Sequence, residues 1–134
     1  MDDLVAAVGE KLAESFDEVL APAMIAIRDP IDRLSFGFAN FLEKAIADPT
    51  WARLVVQSAQ SPAVFGHGIR THLKADAAQA IAEGRVSIED EELAANIVIG
   101  IWLQIARATL ERQPAANLAD HALSAILRAL GVPQ

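Results

Sequence analysis

The chain has 134 residues, 53% of them apolar, a formal net charge of −7 and no cysteine. That length suits one domain spanning residues 1–134 whose core closes without disulfides, and the missing thiols exclude a disulfide scaffold, a thiolate metal site and a cysteine nucleophile. The acidity leaves little cation surface for phosphate neutralisation, so this chain alone is not expected to bind DNA; its acidic start, Met1-Asp2-Asp3, lacks the positive charge of a secretory signal, so a cytoplasmic location is expected.

Alanine and leucine dominate and tyrosine is absent, so helices are expected throughout. Leu4, Val8, Leu12, Phe16 and Val19-Leu20 repeat at helical spacing behind Asp2 and Asp3, which predicts a first helix to about Ala21, with Pro22 kinking or restarting it. Asp29-Pro30 pairs a capping carboxylate with a proline at the first helical position and predicts a second helix, Ile31 to Ala47. Asp48-Pro49 repeats the device ahead of Trp51, Leu54 and Val55, and Ser61-Pro62 repeats it again. A long helix follows from Ala63, weakened at Gly66 and Gly68, and stops at Gly84. Ser87, with Glu89, Asp90 and Glu91 behind it, is expected to cap a helix from Ile88 to about Arg112. Asn117 is expected to cap the last one, Leu118 to Leu130, with Gly131 in the stop position.

The fifth of these helices is apolar in every direction: Ala94, Ala95, Ile97, Val98, Ile99, Ile101, Trp102, Leu103, Ile105 and Ala106 surround its axis, although Asn96, Gln104 and Arg107 interrupt the run enough to argue against a membrane span. One face can pack on the domain's own core; the other requires a second chain. Gly100 permits close approach, and the last helix offers a flat strip of Ala122, Ala125 and Ala129 beside His121 and Arg128, opposite Leu123, Ile126, Leu127 and Leu130. The last two helices of each chain are therefore expected to form a four-helix-bundle homodimer interface through Ile97, Gly100, Ile101, Gln104, His121, Ala122, Ala125, Arg128 and Ala129.

The run Ala80-Ile81-Ala82-Glu83-Gly84-Arg85-Val86, then Asp90, then Glu92-Leu93-Ala94-Ala95 entering the apolar helix, resembles the C-terminal domain of TetR-family transcriptional regulators. So do the ending Leu127 to Pro133, the stretch Asp29 to Leu34, and Asp48-Pro49, while Asp3 to Val8 resembles the helix that follows the family's DNA-binding unit. The resemblance implies an all-α antiparallel domain of about six helices, enclosing an effector pocket and dimerised through its last two helices. It also implies the sensor half of a repressor, touching DNA only through an N-terminal domain that this sequence does not contain.

Within that frame an effector pocket needs apolar walls and a few placed polar groups. Phe36, Asn40 and Phe41 on the second helix, Trp51, Phe65 and His72, and Asn96, Ile99, Trp102 and Leu103 on the fifth are the candidates, for a small, largely apolar effector. Asn96 and Gln104 lie roughly 80° apart around their helix, one expected to face the pocket and the other the seam. His67 and His72 lie about 140° apart, so no metal is expected. Arg70 and Lys74 are expected on a solvated face. Phosphate loops, nucleophile elbows and metal-spaced His/Glu sets are missing, so neither a cofactor nor catalysis is expected. The alternative is a stand-alone helical carrier or adaptor that binds an apolar molecule without touching DNA.

Overall fold

The aspartate-led starts become helix caps. In a computed structural model, which describes residues 2–59 and 67–133, Asp29 accepts hydrogen bonds from the backbone N–H groups of Ile31 (2.8 Å) and Asp32 (3.4 Å), and Asp48 accepts one from Trp51 (3.1 Å). Each satisfies donors that a helix start leaves open, and Pro30 and Pro49 occupy positions where no N–H is needed. Six helices follow in order among the described residues: α1 Asp2–Ile25, α2 Pro30–Ala47, α3 Pro49–Ser58, α4 His67–Ala82, α5 Glu91–Glu111 and α6 Leu118–Leu130. The expected start at Ser61-Pro62, with Ala63 to Gly66, lies outside the described residues.

Three local expectations are corrected. α1 runs through Pro22 to Ile25 instead of ending near Ala21, because a proline within a turn of the helix end removes a single backbone bond and leaves little helix to redirect. The cap of α5 is Asp90, which accepts from Glu92 N–H (2.9 Å) and Leu93 N–H (3.2 Å); Ser87 instead donates its own N–H to the carbonyl of Leu130 at 3.1 Å, tying the α4–α5 connection to the end of α6. Asn117 stands at the start of α6 without a side-chain cap bond, and its amide meets His121 Nε2 at 3.2 Å. The glycine stops are as expected. Gly84 and Gly131 take positive φ (69° and 79°), and Arg85 N–H to Ala80 O and Val132 N–H to Leu127 O, both 2.9 Å, close the last turns of α4 and α6.

α5 is the hub, packing against α2, α3, α4 and α6, while α1 lies chiefly along α3. The core is built from Leu34, Phe38, Phe41, Val55, Leu73, Ile99 and Ile126 with the inner face of α5. Phe41 (1% exposed) stacks on Trp102 (3% exposed) with ring centres 4.8 Å apart, and Phe16 meets both Phe41 (6.0 Å) and Trp51 (5.5 Å). Such ring pairs add about 0.5–1.5 kcal/mol each beyond their burial. α1 and α3 approach so closely at Gly9 that a Cβ there would collide with the carbonyl of Leu54 and the side chain of Ser58.

By length and composition alone α5 could cross a membrane, but its apolar residues divide between two surfaces. Ala94, Ala95, Val98, Ile99, Trp102 and Ala106 are buried in the core; Leu93 is 49% exposed, Ile97 and Ile101 are half-buried, and nothing lies within 4 Å of where a Cβ on Gly100 would stand.

Candidate functional site

Asp76 sits on the apolar stripe of α4, between Leu73 and Ala80, where helical spacing carries a carboxylate into the interior. Burial pushes its carboxyl above the usual range, and the neighbouring Arg33 guanidinium offsets only part of that rise. Arg33 reaches across from α2: its Nε donates to Asp76 Oδ1 at 2.7 Å, its Nη1 to the carbonyls of Ile27 (2.7 Å) and Arg28 (3.0 Å), and its Nη2 to Gln79 Oε1. One side chain thus fastens the α1–α2 corner to α4. Beside it, His72 Nδ1 and Asp17 Oδ1 lie 2.9 Å apart, linking α4 to α1.

Beneath these polar groups lies an inner cavity of about 20 Å³, floored by Phe16, Leu34, Gly37, Ile69, Leu73 and Trp102. That is room for about one water. Two features mark it as more than a packing fault. The indole N–H of Trp102 is buried and has no hydrogen-bond partner among the described residues, which costs about 1–3 kcal/mol if nothing else meets it. Gly37 sits in the middle of a helix, where it is less favourable than alanine by about 1 kcal/mol, yet a Cβ there would make ordinary contacts with Trp102 (3.5 Å) and Met24 (3.6 Å). Sterics therefore do not require this glycine; its effect is to leave space beside the indole.

Outside the cavity, an open cleft of about 360 Å³ between α1 and α4 is lined by Ala21, Met24, Ile25 and Ala75. Met24, Arg33, His72 and Asp76 line both spaces and form the neck between them. A second open cleft, about 500 Å³, lies among α1, α2 and α3, with Leu12, Phe16, Val19, Asn40, Lys44 and Trp51 in its wall. Lys44 stands 5.7 Å from the centre of the Trp51 ring.

The expected site residues divide accordingly. His72 and Trp102 line the inner cavity, His72 at its exposed edge and Trp102 at its floor. Asn40 and Trp51 line the α1–α2–α3 cleft, though Asn40 also spends its amide on the carbonyl of Phe36 (2.9 Å). Phe36, Phe41, Ile99 and Leu103 line neither cleft nor the cavity: Phe41 and Ile99 are core, Phe36 and Leu103 half-buried. Asn96 and Gln104 are both exposed, and Asn96 accepts from Arg70 Nη1 at 2.7 Å. Phe65 lies outside the described residues. Arg70 is not solvated as expected: it is 7% exposed and also reaches Glu92 (3.4 Å), which Lys74 pairs with at 2.8 Å.

Of the expected dimer residues, Gly100, Gln104, His121, Ala125, Arg128 and Ala129 are exposed and Ile97 and Ile101 half-buried, on a surface formed by α5 and α6. Ala122 is buried in the chain's own core beside Ile126 and Leu130, so α6 is turned further inward than its leucine pattern implied. Sequence reasoning missed Asp17, Met24, Arg33, Gly37 and Asp76. The signal for Asp76 was legible as a carboxylate in step with Ile69, Leu73 and Ala80; nothing local marks Arg33 or Met24.

A family model described as "Tetracyclin repressor-like, C-terminal domain" matches residues 29–134. Among solved structures, RolR crystallised without ligand superposes with a TM-score of 0.82, covering 98% of this chain and 68% of that one at 21% identity, a likeness of fold. No curated protein matches the chain in sequence.

Proposed function

The chain belongs to the family of tetracyclin repressor-like C-terminal domains, and from that premise we propose that it is the effector-binding and homodimerising part of a cytoplasmic transcriptional repressor. The observation that carries the effector half is the inner cavity lined by Trp102, whose buried indole N–H has no partner among the described residues, and by Gly37, which leaves the edge of the indole's six-membered ring open. A small, largely apolar compound would enter from the α1–α4 cleft, whose 360 Å³ falls in the size range of ligand sites. The cavity has room for only about one water, so binding must displace side chains at the neck. Because Arg33 joins the neck to the α1–α2 corner, that displacement gives the effector a route to bias the position of α1. Operator affinity would then fall by the effector's differential affinity for the two arrangements. No catalytic role is assigned.

The test is a thermal-denaturation screen of small apolar compounds against the chain and against Gly37→Leu, which fills the space beside the indole. A true effector at a hundred times its Kd raises the unfolding free energy of the parent by about 2.7 kcal/mol and leaves the folded variant unshifted. Ligands that stabilise both chains equally, or a screen that yields none, would overturn the cavity as the effector site.

A further inference from the structure

We propose that the effector carries a protonated amine, recognised by Asp76 at the neck between α1 and α4 and by Asp17 in the cavity wall beside it; the inference rests on the effector reading above. The charges at the neck are unequally committed. Arg33 lines the neck as well, but most of its donors are committed, Nε to Asp76, Nη1 to Ile27 O and Arg28 O, and Nη2 to Gln79. Asp76 gives only Oδ1 to that bond, and Asp17 only Oδ1 to His72. Asp76 Oδ2 and Asp17 Oδ2 carry no hydrogen bond among the described residues, so two carboxylates offer acceptors in a wall that holds one guanidinium.

The surroundings of these acceptors are apolar on both sides: Ala21, Ile25 and Ala75 outside, Leu34 and Leu73 within. An ammonium has three donors and no acceptor, so it fits this rim, while the hydrocarbon attached to it fits the cleft or the opened cavity. A hydroxyl head offers one donor and no charge. A carboxylate head would meet Asp76 and Asp17 with like charge, on a chain whose formal net charge is −7.

Isothermal titration of the chain with 2-phenylethylamine, 2-phenylethanol and 3-phenylpropionate separates these heads on similar bodies. The amine should bind about tenfold more tightly than the alcohol, as a charge-assisted bond is stronger than a neutral one, and the carboxylate most weakly. In Asp76→Asn the amine's advantage should shrink to about threefold or less while the alcohol still binds; Asp17→Asn, at a less buried side chain, should reduce it too and serves if the first variant does not fold. Equal or tighter binding of the alcohol or carboxylate, or an amine preference unchanged in both variants, overturns the proposal. Alcohol binding that Gly37→Leu abolishes, without amine preference, overturns the amine alone and leaves the cavity reading standing. Binding of none of the three overturns the amine, and the compound screen then decides the cavity independently.

Discussion

Gly37 and Asp76 each set a local preference against the rest of the structure. At Gly37 a methyl group would satisfy helix propensity and touch Trp102 at ordinary distance, so Gly37→Ala should raise the unfolding free energy by about 1 kcal/mol in a urea titration while weakening any ligand that uses the cavity. Loss of stability instead would mean the space is already filled. At Asp76 burial raises the carboxyl, and Arg33 and His72 offset only part of that rise. A raised carboxyl contributes stability that is present below its unfolded pKa and lost as pH rises through the folded one. Stability of the parent relative to Asp76→Asn should therefore fall across that interval, and chemical denaturation at stepped pH reads it. A difference that grows in the parent's favour would show that Arg33 outweighs burial.

Helix ends were legible because their determinants are local: Asp29 and Asp48 lie within three residues of the N–H groups they cap, and Gly84 and Gly131 take the positive φ that ends a helix. The cap at Ser87 differs for the complementary reason, while α6 starts after Asn117 as expected and lacks only the side-chain bond. A better acceptor at Asp90 stands three residues on, and the Ser87 N–H is claimed by Leu130, which no local pattern shows. The crossing of α1 and α3 at Gly9 was likewise invisible, since it depends on Leu54 and Ser58 arriving from another element. Gly9→Ala must push these helices apart, and we expect a loss of about 1–3 kcal/mol by thermal or urea unfolding, despite alanine's better helix propensity. Unchanged stability would mean α1 adds little to the fold.

For the molecule as a whole, the uncovered side of α5 and the edge of α6 are what remain after the core is complete. Leu93, Ile97, Ile101 and Gly100 form an apolar surface of the kind that soluble chains cover, and the homodimer expected from sequence would cover it. Gly100→Arg projects into open space in a single chain, so the variant should keep parental helicity by circular dichroism. Its sedimentation-equilibrium mass should be that of a monomer where the parent is a dimer. A folded variant that remains a dimer would place the seam elsewhere.

The sequence by itself determined the helix count and order, most of the caps and the excess of apolar surface on α5, because each depends on spacing along one segment or on composition. Only the tertiary structure decided which apolar face turns inward, so that Ala122 joined the core and Arg70 was buried against Asn96. It alone also brought Asp17, Arg33, His72 and Asp76 from three helices to the wall of one cavity. A side chain's electrostatic role depends on partners far along the chain, which periodicity does not encode; a helix end depends on neighbours a few residues away, which it does.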